Sequence, residues 1–211
     1  MSEDQVRQPA GFPNKISRIL LLSLEDVVGS RGSSAILTTA KLAHLIDNYP
    51  PADFEPGLTF AEVGRLFEAV EGLHGVTGGR QLARRAGRES FRYWIEGLGS
   101  IMGFADVALR LLPLSFRVRI GIEVLAEIFN RYSDQVVRLG EGSEGYYIVL
   151  ERCGFCEGRR TETPACAFPV GIIEESLFWV SRGRQFSVEE TTCVACGDSA
   201  CTFHIAKKPL S

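Results

Sequence analysis

All six cysteines of this 211-residue chain lie between Cys153 and Cys201. Soft donors packed that densely point to a metal. Two donor sets compete. The first joins Cys153-Gly-Phe-Cys156 to Cys193-Val-Ala-Cys196, the paired pattern of a four-thiolate zinc ribbon. The gap between the pairs is longer than a compact ribbon needs and holds a whole helical segment, which weakens this pairing. The second set is Cys166, Glu190, Cys193 and Cys201. Cys193 and Cys201 flank the turn Gly197-Asp198, so a hairpin draws them together. Glu190 precedes Cys193 by three residues, and a bulged strand end aims both at one point. Cys166 sits just ahead of a helix, where the dipole favours its thiolate. Three thiolates and one carboxylate close a tetrahedron around one Zn²⁺ with no open position, so such a metal is structural.

These donors need a hairpin, a neighbouring strand and a helix start, and the C-terminal third supplies them. Gln135–Leu139 reads as a strand, and Gly140–Gly145 as a turn. Tyr146–Cys153 opens with an apolar run suited to a central strand covered on both sides. Cys153–Ala165 is a loop, and Pro169–Val180 a helix stopped by Gly183. Gln185–Thr192 and Cys201–Ala206 are the last strands, with Cys201, Phe203 and Ile205 on one face by the two-residue period.

Upstream the period is helical. Helices are expected from Lys15 to Val28, Ala35 to Ile46, Thr59 to Leu73, Arg80 to Leu98, Gly99 to Leu112 and Leu114 to Tyr132. In the third of these Val63, Leu66, Phe67 and Val70 point inward. In the fourth, the small residues Ala83, Ala86, Gly87 and Ser90 allow a close helix approach. The last carries Phe116, Ile120, Val124, Ile128 and Tyr132 at four-residue steps, with Leu125 and Phe129 beside them, and is read as core. Gly29-Ser-Arg-Gly32-Ser-Ser reads as a turn with Ser33 or Ser34 as N-cap, not as a phosphate loop, since it lacks the lysine and preceding strand. His74 begins a flexible Gly-rich turn through Gly79 and has no acidic or thiol partner beside it. The run Arg80, Arg84, Arg85, Arg88 reads as ion pairs or a solvated face.

The chain is 45% hydrophobic and carries a formal charge of −3. That is enough apolar material for a sizeable core, and it argues against a nucleic-acid partner. No signal peptide is visible, and Ile19–Leu22 is far too short for membrane insertion, so a cytoplasmic setting is expected. There, clustered thiols favour metal over disulfides. The expected fold is α+β: N-terminal helices packed on an antiparallel β-sheet that ends in a zinc-stapled hairpin. Residues 1–14 are expected as a mobile arm, 15–133 as the helical part and 134–211 as the β-rich zinc-binding part.

Cys166-Ala-Phe168 with Gly171, then Glu190-x-x-Cys193, Gly197-Asp198, Cys201 and Phe203, resembles the 4-vinyl reductase (4VR) domain, over about Gly142 to Ile205. Gly79–Phe91 is similar to the helix that precedes it. The resemblance extends to the effector-sensing domain of aromatic-responsive activators, in which three cysteines and a glutamate bind zinc. It implies Cys166, Glu190, Cys193 and Cys201 as the Zn²⁺ ligands, a homodimer, and a buried pocket for an apolar, aromatic or tetrapyrrole ligand. Pocket candidates by residue type and proximity are Phe129, Tyr146, Tyr147, Phe178 and Trp179. Cys153 and Cys156 mark a variant of the family: they join the site, bind a second metal with Cys196, or stay inert or redox-active. No dinucleotide or flavin signature is present. A binding module, carrier or sensor, is therefore favoured. The alternatives are a divinyl (proto)chlorophyllide 4-vinyl reductase, or its accessory protein in bacteriochlorophyll synthesis, and a signalling or scaffold subunit.

Overall fold

The computed structural model describes residues 9–109 and 112–210 and, for 97–109, the backbone course alone. The chain runs β1 (Gly11–Pro13), α1 (Asn14–Thr39), a 3₁₀ turn (Ala43–Leu45), β2 (Pro56–Thr59), α2 (Phe60–His74), α3 (Val76–Leu109) and α4 (Leu114–Tyr132). It continues through β3 (Val136–Glu141), β4 (Gly145–Arg152), α5 (Ala167–Ser181), β5 (Phe186–Thr192), a second 3₁₀ turn (Val194–Cys196) and β6 (Cys201–Pro209). The α+β expectation holds. β3 to β6 form one antiparallel sheet in the order β3-β4-β6-β5, and β1 pairs with β2 in a separate ribbon. α4 packs on β3 and α5 on β5.

In β4, Tyr146, Ile148 and Leu150 are buried and Tyr147 and Val149 half-buried, as a central strand requires. Ile148 pairs with Phe203, and Leu150 with Cys201. β6 thus lies between β4 and β5 with its apolar face closed. One hydrophobic core runs from Phe12 and the helices into this sheet. α2 is started by a capping box: the Thr59 hydroxyl accepts from the Glu62 N–H at 3.2 Å, and Glu62 accepts from the Thr59 N–H at 2.8 Å. Such a cap is worth about 1 kcal/mol.

The small-residue stripe of α3 does what its spacing predicts. Ala83, Ala86 and Ser90 are buried, and α3 lies directly on α5. A Cβ at Gly87 would strike the Phe168 carbonyl, and one at Gly171 the Arg84 carbonyl. The two backbones touch without an intervening side-chain layer. The basic residues of α3 are ion-paired at its rim: Arg84 and Arg88 both hold Glu174 of α5, and Arg80 meets Glu71 at 3.3 Å. The substitution Gly171→Ala is expected to lower stability by about 1–3 kcal/mol, because neither backbone can yield. Thermal unfolding reads this as a lower Tm, and an unchanged Tm would refute the close packing.

Several expectations are corrected. Gly11–Pro13 is a strand with Phe12 in the core, so the N-terminal arm does not extend to residue 14; residues 1–8 lie outside the described ones. Helix α1 runs through Gly29, which kinks it at φ 75°. Neither Ser33 nor Ser34 caps it: Ser33 meets the Tyr49 hydroxyl at 2.9 Å, and Ser34 donates to the Ser30 carbonyl at 2.9 Å. The helix expected to reach Ile46 ends at Thr39. Gly78 and Gly79 are helical, not a flexible turn, and one helix spans the region read as two. Of the expected Gly99–Leu112 segment, residues 110 and 111 lie outside the described ones, as do the side chains of Leu98 and of 99–109. In α4 the stripe at four-residue steps is not the buried one. Phe116 is 57% exposed and Val124 48%, while Val118, Ile122, Leu125, Ala126 and Phe129 are buried. A four-residue step overshoots the helical turn by about 40°, so the stripe rotates off the core within two steps. Steps of four and three alternate along the buried face and track the turn.

Candidate metal centre

Five of the cysteines are buried, and the loops and strand ends that carry them converge below the sheet edge. Cys153 follows β4, and Cys156 lies in the turn after it. Cys166 immediately precedes α5, which begins at Ala167, two residues earlier than its sequence suggests. Cys193 ends the β5 arm, and Cys201 opens β6. The β5–β6 register slips between Glu190 and Thr192, the irregularity that turns Glu190 and Cys193 toward one point. Gly197 takes a left-handed φ of 99°, and the Asp198 carboxylate accepts the Cys193 N–H at 2.8 Å. Gly197 and Asp198 thereby fix the hairpin that sets Cys193 against Cys201.

The sulfur spacing suits a tetrahedral metal. Cys166 lies 3.9 Å from Cys193 and 3.8 Å from Cys201, and Cys193 lies 3.9 Å from Cys201. Sulfurs at about 2.3 Å from a tetrahedral Zn²⁺ stand about 3.8 Å apart. Cys153 is 3.5 Å from Cys166, and Cys156 is 3.5 Å from Cys201. The donors form two four-membered groups, Cys153, Cys156, Cys166, Cys201 and Cys166, Glu190, Cys193, Cys201, in each of which the ligand atoms lie within 4.8 Å of one another. Four buried cysteines are therefore close enough to hold a metal ion. The ribbon pairing of Cys153, Cys156, Cys193 and Cys196 is not assembled. Cys196 is exposed, 3.7 Å from the Thr161 hydroxyl.

The electrostatics also ask for a cation. Glu190 Oε2 accepts the Cys166 N–H at 2.7 Å, but its buried Oε1 has no hydrogen-bond partner. Desolvation first, and the Cys193 thiolate second, push the Glu190 carboxyl up to about 8. Burial likewise pushes the Cys153 and Cys166 thiols up. A buried carboxyl beside buried thiols is stable as anions only around a metal. The Val194 N–H points at Cys201 Sγ at 3.3 Å, a backbone donor suited to a thiolate.

Below the Cys153–Cys156 loop sits an aromatic stack. Phe155 packs 5.3 Å from Phe12, 6.2 Å from Phe67 and 5.6 Å from Phe168. The buried Arg159 secures the next turn, pairing with Glu71 at 2.7 Å and donating to the Ala165 carbonyl at 3.3 Å.

The five pocket candidates are dispersed. Phe129 and Tyr146 are core residues, and Tyr147 stacks on His204 at 5.2 Å. Trp179 meets Phe91 at 6.2 Å, and Phe178 is surface-exposed. The main cleft, about 810 Å³, lies elsewhere, against Phe12, Phe54, Tyr132, Arg131, Asp134 and Arg152. Its two guanidinium groups rest on rings: Arg131 lies over Tyr132 at 5.8 Å, and Arg152 over Phe60 at 5.6 Å. The sequence offered one signal for this cleft, that Arg152 directly precedes Cys153. Phe12 and Phe54 lie far from the cysteine motif, on β1 and the segment before β2.

The fold is H-NOX-like. A point mutant of T. tengcongensis H-NOX superposes with a TM-score of 0.59 at 16% identity, covering 94% of this chain and 100% of that one. An oxygen-binding H-NOX domain related to soluble guanylate cyclases gives 0.57 at 16% identity, covering 94% and 97%. An H-NOX protein from S. oneidensis in the Fe(II)NO state gives 0.53 at 11% identity, covering 92% and 99%. Within that frame, residues 146–207 match the family model of the 4-vinyl reductase (4VR) domain, so the chain carries a domain of that family over that stretch. No curated protein matches the sequence. Heme, which features in work on the H-NOX family, does not fit this chain through a histidine ligand: His44 and His74 are exposed, His204 lies against Tyr147, and none lines the main cleft. No described helix is long and apolar enough to cross a membrane.

Proposed function

We propose that the chain is a zinc-stabilised binding domain, a carrier or sensor for an aromatic carboxylate of the tetrapyrrole class. The observation that carries the reading is the unpartnered Oε1 of Glu190 beside sulfurs spaced 3.8–3.9 Å apart, a donor set suited to Zn²⁺. Every donor comes from the protein, so the metal holds loops together and has no open position for substrate. The resident Zn²⁺ would supply charge and cross-linking. Cys166, Glu190, Cys193 and Cys201 hold it, and the N–H groups of Cys166 and Val194 orient Glu190 and Cys201.

Ligand binding is placed in the main cleft. Its volume, about 810 Å³, lies in the range of small-molecule sites. Phe12, Phe54 and Tyr132 offer flat apolar contact, and Arg131 and Arg152 two charges suited to carboxylates. Phe12 also touches Phe155, so the floor of the cleft rests on the metal loop. Protoporphyrin IX, a flat dicarboxylate, is the probe. Calorimetry is expected to give micromolar affinity, and Arg152→Ala to weaken it about tenfold by loss of a charge-assisted hydrogen bond. No binding, or equal affinity in the variant, overturns the reading.

A further inference from the structure

The two donor groups are not rivals, because they share an edge. Cys166 and Cys201 belong to both, 3.8 Å apart, while Cys153 and Cys156 complete one group and Glu190 and Cys193 the other. The geometry points to a binuclear centre: two zinc ions bridged by the Cys166 and Cys201 thiolates, with Cys153 and Cys156 terminal on one ion and Glu190 and Cys193 on the other.

Donor count, charge and spacing each support this. Two tetrahedra sharing an edge need six donors, and the buried cluster offers five thiols and one carboxylate. A single ion on the Glu190 set leaves Cys153 and Cys156 as unused thiols against its ligands. A single ion on the all-cysteine set leaves Glu190 buried with no cation. Two divalent ions with six anionic donors carry a net charge of −2, the same as one ion with three thiolates and a carboxylate, so the second ion adds no excess charge. The shared edge has the length a tetrahedral thiolate site demands, about 3.8 Å. Each terminal cysteine of the first ion also sits 3.5 Å from a bridging sulfur, Cys153 from Cys166 and Cys156 from Cys201. Loading proceeds by deprotonation. The thiol protons, and any proton on Glu190, pass to solvent as the Zn–S and Zn–O bonds form, with no change of oxidation state.

The bridged centre rests on the metal-clamp reading and extends it, so metal stoichiometry separates the two. Native mass spectrometry with elemental analysis of the full chain, loaded with zinc alone, is expected to give two zinc ions per chain. Cys153→Ser and Glu190→Gln each remove a terminal donor from a different ion and are expected to retain one. Cadmium-exchanged protein is expected to show two cadmium NMR resonances with scalar coupling between them, which requires a bridging atom. One zinc ion in the wild type, or two uncoupled resonances, overturns the bridged centre but leaves the clamp. No bound zinc, or iron with visible absorption, overturns both. Where a variant fails to fold, the wild-type count and the coupling decide alone.

Discussion

Cys201→Ala is expected to abolish zinc retention and to leave the C-terminal part without a stable fold. Cys201 belongs to both donor groups and also opens the strand at the heart of the sheet. Its loss therefore removes metal affinity whichever set is populated. Structural zinc sites contribute about 10–16 kcal/mol of apparent binding free energy, which here is folding free energy. That exceeds the whole net stability of an ordinary domain, about 5–15 kcal/mol. Far-UV circular dichroism and elemental analysis of the variant check this together. A folded, metal-free Cys201→Ala protein would remove the metal from the account of the fold. The shared-edge geometry makes the prediction sharper than for any terminal cysteine, since the remaining donors form no complete four-membered group.

Phe155→Ala has the second largest expected effect. Phe155 is 2% exposed and sits between Cys153 and Cys156, against Phe12, Phe67 and Phe168. Deleting its ring leaves a cavity walled by three other rings that are themselves held by β1, α2 and α5. Such truncations cost about 3–5 kcal/mol, the upper part of the range where the walls cannot collapse. Chemical denaturation should show the loss as a lower midpoint. Zinc content should be retained, because no donor is removed. Loss of metal at unchanged stability would contradict this reading of the ring as a packing element.

The metal ligands were legible because their chemistry is local. Thiols are scarce, Gly197-Asp198 announces a turn, and the two-residue period of β6 fixes which side Cys201 shares with Phe203. The sheet was legible for the same reason, since Tyr146–Leu150 has no polar residue to place outward. Less legible was how the donors divide. Cys153 and Cys156 lie one loop before α5, and nothing local says that this loop folds back onto Cys166 and Cys201. That return is set by Phe155 packing against Phe12 and Phe67, rings far upstream in the chain. The same distance hid the cleft, whose Phe12 and Phe54 come from short strands and loops with Pro and Gly and no periodic signal. The α4 error had a different origin. Two apolar stripes compete on that helix, and only the packing of α5 and β3 decides which one faces in.

The glycine contact between α3 and α5 has a mechanical consequence. A packed layer of side chains can absorb a shift by changing rotamers, but Gly87 and Gly171 set backbone against backbone. The crossing therefore behaves as a rigid pivot. α5 starts at Cys166, at the metal, and α3 extends for 34 residues, about 51 Å at the helical rise. A displacement of the Cys166 end, by ligand in the neighbouring cleft or by a change at the metal, is carried by α3 as by a lever arm, so that a small movement at the centre is enlarged at the far end of the molecule.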